Sequence, residues 1–412
     1  MRQDIYQIDK RIEDEIGRIK NEKGITPKNK KVILEFYRQC VLNNLSKLCL
    51  RGYLNKLRRM AVWIKKDFDK ADRKDIERVV QTLHDKGFKY LTRTGFKVCI
   101  KRFYKWLKGN DLTYPEEVQW IKTTMKRSER TLPGEGDLIT EDEISKLIDI
   151  ADHPRDKAFI SCLYESGCRI GELCGLCIKD IAFDKHGALI HVSGKTGSRR
   201  IRLISSVSFL SNWINIHPSR EDRNRALWVC IAKNFGKPLA YQGVHQLLGR
   251  IFFKAGIKKR YNPHLFRHSR ATYLAGHLTE FQMNQYFGWV QGSGMASTYV
   301  HLSGKNVDSA ILELNGIKMN KEESKESNLK PKRCPRCEAV NSFSDRHCSK
   351  CGCVLDIKTA IELDEDIKKE RKVRSISDKL FNTLMSNKEF QQTLIKKAME
   401  LGVGEELIKS IH

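Results

Sequence analysis

A mainly α-helical chain with one small β-sheet or hairpin, divided into several domains, is the architecture that this sequence predicts. Three observations predict it. Apolar residues recur at helical spacing through most of the 412 residues. One stretch switches to strand-like alternation on both sides of a glycine-bounded turn: GALIHVS, the turn GKTGS, then RRIRLI, residues 187–204. Five of the 13 cysteines crowd into residues 334–353, where a small metal-stapled module is expected.

Taken in order, residues 1–130 read as several short amphipathic helices. Val32, Leu34, Phe36, Val41, Leu45 and Leu48 set one apolar stripe, and Phe96, Val98, Ile100, Phe103, Trp106 and Leu107 set another. This region holds 33 Lys and Arg against 17 Asp and Glu, so most of the chain's net charge of +26 sits in less than a third of its length. Lys97, Lys101, Arg102 and Lys105 lie beside Phe103, Tyr104 and Trp106, a pattern suited to phosphate contacts with a polyanionic partner. Residues 131–139, with one Pro and two Gly, read as a linker. A helix is expected to start at Thr140, because Glu143 three residues on completes a capping box. The second domain then runs to about 320, mostly helical around the hairpin. Residues 321–331 read as another linker, 332–356 as the cysteine module, and 357–412 as C-terminal helices with apolar spacing at Leu380, Phe381, Leu384, Phe390, Leu394, Ile395, Met399 and Leu401.

Composition excludes broad classes. A mean hydropathy of −0.50 rules out a mainly membrane-embedded chain, and 35 aromatic residues argue against global disorder. No apolar run reaches the roughly 18 residues that a spanning helix needs, and MRQDIYQIDKR lacks the apolar core of a signal peptide. A cytoplasmic, nucleoid-associated protein without a membrane partner is therefore expected.

Four segments between residues 160 and 300 carry the chemistry. In SGCRIGEL, Gly167 can end one helix and Arg169 begin the next, with Glu172 one turn away. Lys195 sits at the tip of the predicted hairpin, with Arg199 and Arg200 close by. In NPHLFRHSRAT, Asn262 is an N-cap, Pro263 suits the first helical position, and His264 and Arg267 share a face at i and i+3. YFGWVQGSGMASTYVHLS brings Trp289 and Tyr299 around a Gly-rich turn. Two guanidiniums can grip both non-bridging oxygens of a phosphodiester and offset the charge of a pentacoordinate transition state. Tyr299 can attack the phosphorus once His264 helps with its proton, Lys195 can protonate the departing 5′ oxygen, and Trp289 can donate its N–H to a phosphate oxygen. His268, Tyr273, Tyr286 and His301 are read as structural. The GKT at 194–196 is not a Walker loop, because position 189 is Leu where that pattern needs Gly.

RIGEL, HLFRHSRAT and the T-Y-V-H segment together resemble the tyrosine recombinase (phage integrase) family. The resemblance implies a two-domain clamp: a helical core-binding domain over 1–130 and a catalytic domain over 140–320. It also implies a catalytic set of Arg169, Lys195, His264, Arg267, Trp289 and Tyr299, with Glu172 bracing the pocket. Two positions depart from the family pattern. Trp289 stands where His is commoner, and the ten steps from Trp289 to Tyr299 are one more than usual, with Gly292 and Gly294 placed to absorb the extra residue.

The cysteines read C-P-R-C, ten residues, then C-S-K-C, so Cys334, Cys337, Cys348 and Cys351 form two knuckles suited to a closed tetrahedral thiolate site for structural zinc. The segment looks like a zinc ribbon, a module seen in archaeal relatives of these integrases. Cys174 and Cys177 form a lone CxxC read as core.

The expected activity is site-specific recombination through a 3′-phosphotyrosyl intermediate, for integration or excision of a mobile element, with no metal or ATP in catalysis. Double-stranded DNA is the expected partner and a tetramer on DNA the expected assembly. A type IB topoisomerase-like enzyme and a catalytically idle DNA-binding regulator are the alternatives.

Overall fold

The computed structural model describes residues 4–109, 112–124, 134–194, 196–300, 311, 314–315 and 329–401. Helices α1 (Ile8–Asn21), α2 (Pro27–Leu42), α3 (Lys47–Ile64), α4 (Arg73–Asp85), α5 (Tyr90–Leu107) and the short α6 (Glu116–Gln119) enclose one apolar core. The starts are encoded locally: the Thr26 and Ser46 hydroxyls accept from the N–H groups of Asn29 and Cys49, and Asp72 forms a reciprocal capping box with Asp75. Phe36, Phe68, Phe103 and Tyr104 meet at its centre, Phe103 lying edge-on to Phe36 at 5.2 Å and to Phe68 at 5.0 Å.

A second core is built from α7 (Glu141–Ile150), α8 (Pro154–Ser166), α9 (Ile170–Cys174), a sheet of β1 (Ile181–Asp184), β2 (Gly187–Gly194) and β3 (Gly197–Leu203), then α10 (Val207–Asn215), α11 (Tyr241–Lys254) and the start of α12 (Pro263–Ala275). The Thr140 and Glu143 capping box forms as the sequence predicts. The expected hairpin is present, but it belongs to a three-stranded antiparallel sheet in the order β1-β2-β3. The extra strand has four residues, three of them exposed, so it carries too little alternation to be read from sequence. Helices α12, α13 (Glu280–Phe287) and α14 (Met295–Val300) pack around a smaller third cluster that includes Trp289 and Tyr299.

Both expected linkers end inside structure. Ile139 is buried and its N–H donates to Ser269 Oγ, and Leu329 is buried in the second core with its carbonyl accepting from Ser205 Oγ. The N-terminus crosses over as well: Ile5 is buried in the second core and its carbonyl accepts from Tyr241 N–H, while α1 packs on α3 in the first.

The cysteine module holds β4 (Lys332–Arg333) and β5 (Val340–Asn341) and rests on α10 through an edge contact of Phe343 with Phe209. After it come α15 (Ile357–Met385) and α16 (Lys388–Glu400). Thr359 is the one buried residue on α15 and α16 has none, so these helices do not cap the rest of the chain. No helix among the described residues is long and apolar enough to cross a membrane.

Candidate active site

The α8–α9 turn places the first arginine. Gly167 closes α8 at φ +55°, and a Cβ there would lie 2.6 Å from the Phe287 ring, so the position demands glycine for both conformation and space. The chain then re-enters helix with Arg169 as the N-cap of α9. Glu172 returns to accept from the Arg169 backbone N–H at 3.0 Å and from its guanidinium at 2.9 Å. Its other carboxylate contact is to Arg199 on β3, whose Nη2 donates at 2.8 Å. Glu172 is buried at 4 % exposure, and against that burial the two guanidiniums hold its carboxyl below the usual range. Gly194 at the end of β2 is what lets the hairpin reach this carboxylate, since a Cβ there would come within 2.3 Å of Glu172 Oε1. Lys195, the next residue, lies outside the described residues.

Arg267 comes from α12, whose start follows the sequence: Asn262 caps Leu265 N–H and Pro263 takes the first helical position. Its guanidinium donates to the carbonyls of Gly167 at 2.9 Å and Phe287 at 2.7 Å, tying the α8–α9 turn to the end of α13. It also lies over the rings of Phe287 and Trp289, 5.0 and 5.4 Å from their centroids. Burial and the neighbouring Arg169 push its pKa down to about 10, so it stays charged near neutrality. With Arg169 one-third exposed and Arg267 at 6 %, the first is the open arm of the pair and the second its buried anchor.

Three rings extend the site. Phe287 stacks on Trp289 at 4.7 Å, and Trp289 stacks on Tyr299 at 5.3 Å with planes 3° apart. Tyr299 is 2 % exposed, and burial raises its hydroxyl pKa while Arg267 opposes the rise. The hydroxyl lies 2.7 Å from His268 Nδ1. The sequence reading assigns the tyrosine's helper to His264 and takes His268 as structural; in the structure the imidazole that meets the hydroxyl is that of His268. The two histidines stand four apart on one helix, so both face the same way, and sequence cannot say which of two successive turns lies level with a phenol from α14. His264 is exposed, one turn before His268 on α12, and its pKa is lowered by partial burial, Arg267 and Arg169.

Arg199 was singled out only as a neighbour of Lys195. It donates to the Tyr286 carbonyl at 2.7 Å as well as to Glu172, while Thr196 Oγ1 donates to the Gly288 carbonyl at 2.8 Å. Together these lock the hairpin to the turn before Trp289. Nothing in the spacing of SRRIRL marks Arg199 over Arg200; the strand's alternation decides which one turns inward, and Arg200 is exposed.

With this geometry in view, residues 137–306 match the phage integrase family. A tyrosine recombinase of Thermosipho africanus is 25 % identical over 274 residues, covering 64 % of this chain and 92 % of that protein. Tyrosine recombinase XerA of Pyrococcus horikoshii is 30 % identical over 173 residues, covering 42 % and 59 %. Over these residues the chain is similar to the tyrosine recombinases. Among solved structures, the XerH site-specific recombinase bound to palindromic difH substrate superposes with a TM-score of 0.52 at 16 % identity, covering 76 % of this chain and 98 % of that one, a likeness of fold.

Lys101, Arg102 and Lys105 of α5 line a cavity of about 460 Å³ with Phe36, Tyr53 and Trp106, and Lys97 does not reach it. Lys101 and Lys105 lie 4.1 and 5.5 Å from the Tyr114 ring centroid, Arg102 is exposed, and Lys97 one turn earlier is half-buried. Lys101 also donates to the Ile121 carbonyl, so part of its charge is committed within the domain.

Cys334, Cys337, Cys348 and Cys351 converge with all four sulfurs within 4.8 Å of one another. The Cys334–Cys351 and Cys337–Cys348 pairs stand 3.5 and 3.6 Å apart. A tetrahedron with metal–sulfur bonds of about 2.3 Å has edges of about 3.8 Å, so the four thiols fit a closed site. Buried Asn341 donates from Nδ2 to Cys348 Sγ and accepts from Ser349, which orients one ligand from behind. Cys174 and Cys177 stand apart from it, Cys174 buried in the second core.

Proposed function

We propose that the chain is a site-specific DNA recombinase that cuts and rejoins strands through a 3′-phosphotyrosyl bond at Tyr299, integrating or excising a mobile element. The observation that carries this reading is the single stack in which buried Arg267 lies over Trp289 and Trp289 lies over Tyr299, with Arg267 tied to the α8–α9 turn that carries Arg169. Arg169 and Arg267 hold the non-bridging oxygens of the scissile phosphate, and their charge offsets what develops as the phosphorus becomes pentacoordinate. Trp289 offers its indole N–H to the same phosphate, His264 stands beside the arginines at the exposed end, and Lys195 protonates the departing 5′ oxygen. Glu172 braces both Arg169 and Arg199. Phosphodiester energy is conserved in the tyrosyl ester, so strand exchange runs without ATP, and the residues in these roles carry out the transfer without a metal.

The basic N-terminal helices, with Lys97, Lys101, Arg102 and Lys105, and the catalytic domain grip duplex DNA from two sides through its phosphates. Recombination pairs two sites in a tetramer, and the exposed α15–α16 hairpin is the element that supports it. The four cysteines hold structural zinc. Its closed shell of four thiolates leaves no open coordination position, so the ribbon stabilises rather than catalyses.

The test is covalent capture on nicked suicide duplexes drawn from a pool of randomised sequence, with the parent chain beside Tyr299→Phe. The parent is expected to form an adduct that survives denaturation and the variant none. An adduct that persists in the variant identifies another nucleophile, and no adduct from the parent overturns the strand-transfer reading.

A further inference from the structure

We propose that His268 is a catalytic residue: its Nδ1 takes the phenolic proton as Tyr299 attacks the phosphorus. The inference rests on the strand-transfer reading above and names the base for that step.

Geometry selects it. A general base must stand within about 2.6–3.2 Å of the atom whose proton it removes. His268 Nδ1 is 2.7 Å from the Tyr299 hydroxyl, and among the described residues this is the hydroxyl's hydrogen bond. The pairing is held from both sides. Trp289 stacks flat on Tyr299 and fixes its plane, α14 packs against α12, and the imidazole and phenol centroids are 5.8 Å apart.

The charged and titratable groups facing His268 are His264 and Arg267 from its own helix and Tyr299 from α14. Burial, then His264 and Arg267, hold its pKa below the ordinary imidazole value. Near neutral pH the ring is therefore uncharged, and with its proton on Nε2 the Nδ1 lone pair is free to accept. Once protonated, it is an imidazolium beside Arg267. That arrangement is tolerable while the phosphorus carries the extra negative charge of the transition state, and unfavourable afterwards, so the proton is readily returned on religation.

The step balances. The phenolic O–H breaks and its proton moves to Nδ1 as the oxygen–phosphorus bond forms. The P–O5′ bond breaks, and the 5′ oxygen leaves as a hydroxyl with a proton from Lys195. Religation reverses each transfer, and His268 returns the proton to the departing tyrosine.

His268→Asn is the discriminating change, because Asn Oδ1 sits near the place of Nδ1 and can accept the hydrogen bond but cannot take the proton. His268→Gln serves as a second variant. Single-turnover cleavage of the captured suicide duplex is measured across pH, with DNA binding and thermal melting followed in parallel. For the parent, the rate falls as pH drops through the His268 pKa. For His268→Asn, about a hundredfold loss near neutral pH is expected, in line with the general-base range, together with loss of that acidic limb. The defect must persist on a substrate with a 5′-bridging phosphorothiolate, whose sulfur leaves without an acid, whereas a Lys195 variant is rescued there.

A His268→Asn rate equal to the parent's with its acidic limb retained overturns the proposal. So does a faster rate, which would make the contact a latch that holds the tyrosine back. Should both variants melt early, the parent decides: histidine NMR gives the His268 titration, and an acidic limb that does not coincide with it rejects the assignment. Failure of the parent to form any adduct sinks the strand-transfer reading itself, while an active parent with an indifferent His268→Asn sinks this inference alone.

Discussion

The arginine pocket and the cysteine ribbon are both assembled from side chains far apart in the chain, yet they are held by opposite means. In the pocket, the cations are held by the fold: Glu172 takes Arg169 and Arg199, and two backbone carbonyls take Arg267. In the ribbon, two two-residue strands and four sulfurs enclose little apolar core, and the two knuckles meet at four thiols that could hold a metal ion. The pocket is preorganised by packing, whereas the ribbon converges on a set of thiols suited to coordination.

A chelator is expected to separate them most sharply. Structural zinc supplies on the order of 10 kcal/mol or more to modules of this size. Chelation is expected to abolish protection of amides in residues 332–356 in hydrogen exchange while α8, α9 and α12 keep theirs. Collapse of both regions together would show that the pocket depends on the ribbon resting against α10.

Glu172→Ala should be the most damaging change inside the pocket. It leaves the guanidiniums of Arg169 and Arg199 without their carboxylate, and losing one partner of a buried pair costs about 3–5 kcal/mol. A fall in denaturant midpoint of that size is expected, with Glu172→Gln between it and the parent. The same carboxylate sets an acid limit. Its pKa is lower in the folded chain than in the unfolded one, so its contribution is present above the unfolded value of about 4.3 and is lost as pH falls through the folded value. An acid-unfolding curve for Glu172→Gln should be flatter in that window.

Gly194→Ala tests the same contact by size. Its new methyl would meet Glu172 at a distance no pair of atoms tolerates, so the hairpin or the carboxylate must shift, at about 1–3 kcal/mol for overpacking. Strand cleavage should fall more than stability does, because the residue that follows Gly194 is Lys195. The smallest effect is expected on α15. Ile376→Ser, at an exposed position, should change the melting midpoint of the DNA-free chain by no more than about 0.5 kcal/mol equivalent. A larger loss, or a change in sedimentation, would show that this helix face is covered in solution.

Elements with local signals were legible in advance. The caps at Thr140 and Asn262, the glycine stop at Gly167 and the CxxC spacing each depend on neighbours within a few residues, and each appears where the sequence puts it. Strand β1, the seating of Ile5 and Leu329 in the second core, and the exposure of α15 were not legible. Each depends on what another part of the chain presents, and period and composition carry no record of that.

The sequence by itself determined the chemistry available: which residue types are present, in what order, and on which helix faces they fall, because side-chain direction follows backbone period. Tertiary structure alone decided the pairings. His268 rather than His264 meets Tyr299, and Arg199 rather than Arg200 meets Glu172, because helix depth and strand register are set by packing over the whole core, where a shift of one residue exchanges one partner for another.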